Sequence, residues 1–422
     1  MFQPVIKINT KWTKDISVTV LLLFLIQSMF NNELRVIVYT FLLVAVFLLN
    51  KRIVVPAIYG ARIYFISILI MIVYGFFVND MSGLFKGTFY VINNIMIVIV
   101  GYYACRFERN KSLMKTLYFV CAIQLAGDWL KLLINIADIG TLGSLRNVFN
   151  NHIMDLMMFS VLLFYECVLN KKTIYGKKRD LFLILAIMVT VLVSLGRTQI
   201  LCMIIGVFVA YIIPIIKAEK KQRFVMNLIV STAVGVCLVF LTFLFLPEDF
   251  TAPFVNKVEK TFTELSTDNE FDDESSISSN WRGYEKKNAE EQWQKTNIAE
   301  QVFGQGIGTE IKLKNLPKTQ RQEYGLTNSS TPLLHNGYYT LLTKGGVLAV
   351  FGILFWLLYP IRILSSKVKS KYLIDIYTQM LIVNVMMMVT TYVIRGLIGS
   401  GTFLVWGTII GWNSCKLKQI LK

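Results

Sequence analysis

Twelve apolar runs, separated by short polar segments, constrain this chain more than any other feature. They lie near residues 16–31, 35–50, 62–79, 86–105, 113–136, 152–169, 181–196, 198–216, 225–246, 346–363, 374–394 and 399–415. A helix needs about 20 apolar residues to cross some 30 Å of hydrocarbon, so each run is a candidate span. The expectation is an all-α polytopic membrane protein with about 12 transmembrane helices. Composition agrees: 55% of the residues are hydrophobic and only 16% are charged, where soluble domains carry about 25% charged residues. The first run has no small-residue cleavage site after it, which predicts a retained span and not a removed signal peptide.

A net charge of +17 would suggest nucleic acid in a soluble chain. Here the cations fall in clusters between apolar runs. Alternate segments such as Lys171, Lys172, Lys177, Lys178 and Arg179 hold 26 Lys/Arg in all, whereas the short segments facing the other way hold essentially Arg35, Lys86, Arg146, Arg197 and Arg395. Under the positive-inside rule the N-terminus is cytoplasmic, and no nucleic-acid partner is implied. The six cysteines lie in apolar runs or at their cytoplasmic ends, with neither a disulfide framework nor zinc spacing.

The same topology divides the chain into 1–246 with nine spans, an extracytoplasmic loop over 247–331, and 332–422 with the loop exit and three spans. Loop and bundle are read as one unit. The loop carries ten Lys/Arg against fifteen Asp/Glu. Its stretch 264–280 is acidic and polar, reads as a solvated linker, and does not follow the ligand spacing of a calcium-binding EF-hand. Beyond it, Ser279 or Asn280 can cap a helix over about 281–302, with Gly304 and Gly306 ending it. Its interleaved aromatics and charges suit a helix lying on the membrane surface or one packed on the bundle.

Candidate chemistry gathers at the predicted outer face. Arg197 stands where two apolar runs meet without room for a loop; a guanidinium there can snorkel to lipid headgroups or hold phosphate oxygens. Arg395 repeats that placement between the last two runs. Arg146 is followed by Asn150, Asn151 and His152, and Arg282 opens the loop helix. His335, at the loop's return to the membrane, suits a general base; the plainer reading is a histidine held by neighbouring backbone. His152 is its only rival, and Asp128 and Lys131 are spaced to pair on one helix face. No GxSxG, HExxH or P-loop spacing occurs, which removes the hydrolase, protease and ATPase readings those motifs carry.

These pieces resemble the O-antigen ligase and polymerase superfamily of bacterial envelope glycosyltransferases. The resemblance rests on SLGRTQ around Arg197, WRGYEKKNAEEQWQKTNIAEQVFGQGIG from Trp281 to Gly308, LLHNGYYTLLTKGGVLAVFG from Leu333 to Gly352, and SLRNVFNNH around Arg146. It implies transfer of a glycan from undecaprenyl diphosphate to an acceptor hydroxyl at the outer face of the bacterial cytoplasmic membrane, independent of metal or other cofactors. Carried over, His335, Arg197 and Arg282 would be catalytic, and Arg146, Asn151, Asn336, Tyr338 and Arg395 would bind substrate. Membrane lipid, a chain-length regulator and a flippase are the partners it suggests. No acidic residue clearly matches a catalytic position, which leaves the proton inventory incomplete. A polymerase of lipid-linked repeat units is the leading expectation; a ligase moving finished polymer to lipid or protein, a transporter or flippase, and a membrane scaffold are the alternatives.

Overall fold

The computed structural model describes residues 15–50, 55–108, 111–149, 152–217, 221–245, 248–259, 271, 274–323, 329–365, 370–399 and 403–421. The chain is an all-α membrane protein, and 81% of the described residues are helical. Helices lie over every apolar run: α1 (Val18–Met29), α2 (Asn32–Asn50), α3 (Arg62–Val78), α4 (Met81–Phe107) and α5 (Leu113–Ile134) come first. A short α6 (Leu142–Phe149) leads to α7 (Ile153–Phe164), α8 (Lys177–Val193), α9 (Arg197–Lys217) and α10 (Lys221–Phe245). Among the described residues, Met81–Phe107, Leu113–Ile134, Arg197–Ile216, Gly337–Ser365 and Lys371–Ile394 are long and apolar enough to cross a membrane.

The loop contributes α11 (Glu248–Glu259), α12 (Glu274–Ser279), α13 (Trp281–Gln294), α14 (Ile298–Phe303) and α15 (Lys318–Glu323). Strands β1 (Ile311–Lys312) and β2 (Ser330–Thr331) pair antiparallel, with Ile311 opposite Thr331. The chain then closes with α16 (Gly337–Leu358), α17 (Arg362–Ser365), α18 (Lys371–Ile394) and α19 (Leu404–Ile420).

Local chemistry sets several helix starts. The side chains of Ser17, Asp80, Ser112, Asn280, Asn297 and Asn336 each accept an N–H from the first turn of the helix that follows, satisfying donors that have no partner inside the helix. The expected helix over 281–302 is in fact two. Thr296 donates its hydroxyl to the Trp293 carbonyl at 2.7 Å, and Asn297 accepts the Glu300 N–H at 2.9 Å. Short polar side chains compete there with the helical ladder, so α13 stops and α14 starts anew. The linker expectation for 264–280 also changes: residues 264–270 lie outside the described residues, but 274–279 form α12, and Ile277 is buried with Phe271 and Tyr284.

Inside the bundle, side chains without charge do most of the joining. Val98 of α4 meets α19 so closely that a Cβ on Gly411 would fall 2.0 Å from its carbonyl oxygen; small residues at such crossings bring backbones into van der Waals contact where lipid offers no hydrophobic drive. Asp155 of α7 accepts from Gln27 of α1 at 3.3 Å and from the Val405 N–H of α19 at 2.9 Å, tying three helices. Asp128 is not paired as its spacing suggested. It is 1% exposed with one carboxyl oxygen lacking a partner, while Lys131 is exposed, because burial of the α5 face turns the two side chains into different surroundings.

The loop is not a separate lobe. Its segment 304–309 threads between α3, α4 and α16, where the N–H groups of Gln305, Gly306 and Ile307 donate to the carbonyls of Thr343, Lys344 and Met71 at 3.0, 3.0 and 3.1 Å. The Thr343 and Lys344 carbonyls can accept because α16 is broken at Gly346, whose φ of 63° and ψ of −168° interrupt the helix. The side chain of Lys344, 1% exposed, donates to the carbonyls of Ile307 and Thr309 at 2.8 and 2.6 Å. Replacing Lys344 by Met keeps the stem and removes both donors. It should lower stability by about 1–3 kcal/mol, since each buried carbonyl left unpaired costs roughly that much before relief from burying the amine. Thermal unfolding in detergent, with hydrogen exchange at 304–309, measures it; unchanged protection there would show that the lysine is not what holds the segment.

A candidate histidine–carboxylate site

The site is built where α13 meets the start of α16. Asn280 accepts the Gly283 N–H at 3.0 Å and starts α13, so Trp281, Arg282 and Glu285 share its first turns. Tyr284 and Ala289 turn inward. Tyr284 packs with Phe271, Ile277, Leu313 and Leu316, and Ala289 packs with Ile311 and Leu334. This small core docks α13 on β1 and on α16, which decides between the two placements open for the helix: it is packed on the protein. Tyr284 donates its hydroxyl to the Lys314 carbonyl at 2.5 Å, and burial pushes that hydroxyl above its ordinary range.

Docking brings Glu285 to His335. The carboxylate accepts the His335 backbone N–H at 2.9 Å and faces the ring Nδ1 at 3.0 and 3.1 Å from its two oxygens. The indole N–H of Trp281 donates to the same carboxylate at 3.0 Å. Glu285 has 5% of its side-chain surface exposed, His335 34%. A carboxylate on Nδ1 favours the tautomer that carries its proton there, which leaves Nε2 as the acceptor. It also stabilises the imidazolium formed once Nε2 takes a proton. The alternative of a histidine held by backbone is therefore replaced by a more specific arrangement: its own N–H and its ring are held by one buried carboxylate.

Glu285 was missed in the sequence, and its signal is faint. Trp281 and Glu285 are one helical turn apart in WRGYE, and burial of a loop acid so close to an indole donor is the only local hint. Nothing in the spacing joins it to a histidine 50 positions later.

Arg395 also approaches. Its backbone N–H donates to the His335 carbonyl at 2.5 Å, and its φ is 74°, a left-handed conformation rare for a residue with a Cβ. The Nε of its guanidinium is buried without a partner. Strain of this kind gathers at functional sites, and a buried guanidine N–H without an acceptor suits an anionic ligand. Arg282 stands one turn before Glu285 on α13, half-buried.

A second pair of arginines forms at the three-residue turn between α8 and α9. Leu195 has a φ of 48°, and its carbonyl accepts from the Arg146 guanidinium at 2.5 Å; Arg197 is the first residue of α9. Burial, and next the neighbouring Arg197 charge, hold Arg146 below the usual arginine range. The packing of α9 on α18 brings Arg197 and Arg395 to one end. Cys202 of α9 meets Met386 of α18, while Tyr211 packs edge-on against Phe164, next to Tyr165, whose hydroxyl donates to Asp375 of α18. The two helices thus run antiparallel, with Arg197 and Arg395 at the same end.

The remaining sequence candidates are placed as follows. Asn336 is the cap of α16, its side-chain oxygen accepting the N–H groups of Tyr338 and Tyr339 at 3.0 and 3.4 Å. Tyr338 donates its hydroxyl to the Met388 carbonyl of α18 at 3.4 Å. Both hold the start of α16 in place beside His335. His152 occupies the cap position of α7 without making a capping bond, and its Nδ1 is buried without a partner. Asn151 lies outside the described residues.

Fold and site together define a helical membrane protein with a histidine–carboxylate pair at the exit of a long polar loop and arginines at the same end of its bundle. Compared with known proteins, the chain matches no protein-family model and no curated sequence.

Proposed function

We propose that the chain is a membrane glycosyltransferase that polymerises undecaprenyl-diphosphate-linked oligosaccharide repeat units into a cell-surface polysaccharide. On this reading all twelve apolar helices span the bacterial cytoplasmic membrane, the N-terminus is inside, and the site faces outward. The observation that carries the proposal is the His335–Glu285 pair, because it supplies the base and its supporting carboxylate where the loop returns to the membrane. An acceptor hydroxyl gives its proton to His335 Nε2 as its oxygen bonds to the anomeric carbon of the growing chain. The bond from that carbon to the diphosphate breaks, and its electron pair leaves with undecaprenyl diphosphate. Displacement in one step inverts the anomeric centre.

The arginines act on the leaving group. Arg282 and Arg395, with Arg146 and Arg197 at the same end, offer the fixed donors that a diphosphate needs as charge develops on it. Membranes supplied with lipid-linked repeats should lose chain growth with His335→Ala and with Arg197→Ala, the latter by about 10²–10³-fold in rate. Single lipid-linked repeats should accumulate in cells carrying either variant. Long polymer from both variants, at normal protein levels, would end the proposal. Accumulation of finished lipid-linked chains would assign the same chemistry to a ligase, with a lipid or protein acceptor.

A further inference from the structure

A cavity of about 180 Å³ lies among α5, α18 and α19, at the end of the bundle away from His335. Its wall residue Gln379 precedes Arg395 by 16 positions on α18, which at the helical rise of ~1.5 Å places the two roughly 24 Å apart. The volume is several times the ~30 Å³ that one water occupies in the liquid, so a small polyatomic group has room.

The polar lining is one-sided in charge. Lys111 and Lys416 both line the cavity, and so do Ser112, Trp412, Gln379 and Asn413. Ser112 is the cap of α5, so the N–H-rich first turn of that helix, with Leu113 and Met114 also in the wall, opens beside the cavity. Trp412 is 2% exposed, and its indole N–H has no acceptor, an omission that costs free energy unless something fills it. None of the lining residues is acidic. Two carboxylates lie near the wall: Asp15, which interacts with Lys111 and pairs with Lys115 at 2.6 Å, and Glu166, which accepts from Gln379 at 2.7 Å and is paired with Lys172 at 3.8 Å. Gln379 in turn accepts from Asn413 at 3.0 Å, which fixes that side of the cavity as a neutral wall.

We infer that this cavity binds a phosphate group, presented as free inorganic phosphate or on the headgroup of an acidic phospholipid. Two ammonium groups, the Trp412 indole donor and a helix N-terminus are complementary to its oxygens. Bound there, the phosphate clamps three helices, one of which runs on to Arg395. The topology proposed above makes this the cytoplasmic face, but binding itself does not depend on that reading.

The test uses the full chain purified in a maltoside detergent, which contains no phosphate. Thermal unfolding is followed with sodium phosphate against sodium chloride at matched ionic strength, and separately with phosphatidylglycerol against phosphatidylcholine in mixed micelles. The expected result is a rise in unfolding temperature with phosphate, with phosphatidylglycerol or with both. A response to phosphate alone identifies a free anion, and to phosphatidylglycerol alone a lipid headgroup. Lys416→Gln and Trp412→Phe should each weaken the response about tenfold in concentration, the loss expected for one charge-assisted or buried hydrogen bond. Trp412→Phe deletes the donor but also trims the buried ring, whereas Lys416→Gln leaves the packed rings intact, so a weakened response in both variants separates binding from folding. No rise with either probe, or equal responses from wild type and both variants, overturns the inference.

Discussion

For the glycosyltransferase proposed, Glu285→Gln should lower turnover of lipid-linked repeats by about 10²–10⁴-fold, the range associated with loss of a positioned base or of its supporting carboxylate. The reason lies in a count of donors. Both oxygens of Glu285 are met by donors: the Trp281 indole and the His335 backbone N–H on either side, with the ring Nδ1 between. Glutamine has one acceptor and one donor end, so in either orientation its amide N–H₂ meets an N–H that it cannot satisfy. The ring then either swings away or adopts the tautomer with the proton on Nε2, and in both cases the base is lost. The shape of the side chain is unchanged, so the loss should fall on kcat, with KM for the lipid-linked donor little altered. Glu285→Asp keeps the charge and withdraws it by one methylene, and should recover part of the rate. Full chain growth by the glutamine variant would remove Glu285 from the chemistry. A rise in KM together with a fall in kcat, with α13 open to protease, would assign it to folding alone.

The second large effect is structural. Gly304 has a φ of 85° and a ψ of 174°, and a Cβ built on it would lie 2.1 Å from the Lys344 carbonyl oxygen. Gly304→Ala therefore combines a backbone region closed to residues with a side chain and a collision with backbone atoms that cannot swing aside. A cost of roughly 2–6 kcal/mol follows from adding the strain and overpacking ranges. The segment 304–309 would leave its groove, and with it the anchor that keeps α14 against α16. Size-exclusion chromatography and thermal unfolding in detergent should show an unstable or aggregated protein. Gly235→Ala is the matched control: no atom lies within 4 Å of its added Cβ, and alanine is the better helix former, so it should be neutral or slightly stabilising. Equal behaviour of the two variants would mean that the threaded segment contributes little to the fold.

Much of the scaffold was legible because it depends on short-range patterns. Apolar length marks helices in lipid, and Asn280 and Gly304 mark the start and the final stop of the loop's helical region through their own backbone chemistry. The break between α13 and α14 was also written locally, in Thr296 and Asn297, but the aromatic and charged interleaving on either side masked it. The site was legible in part. His335 and the arginines stood out as polar groups at the edges of apolar runs, and Arg395 is more closely tied to His335 than its sequence position suggested, through a backbone bond that no motif encodes. Asn336 came only with the His-Asn pair of the family resemblance, and the structure uses its side-chain oxygen as a cap.

What the sequence determined by itself is where helices form and which segments avoid water, since both follow from transfer free energies and hydrogen-bond needs that each segment carries alone. Tertiary structure alone decided which of the fifteen acids in the loop faces the histidine. Glu285 reaches His335 only because Tyr284 and Ala289, on the neighbouring faces of one short helix, find apolar partners beneath β1 and against α16. A carboxylate is buried there by the packing of its neighbours and by three N–H donors assembled from separate elements, and energy of that kind exists only once those elements have met.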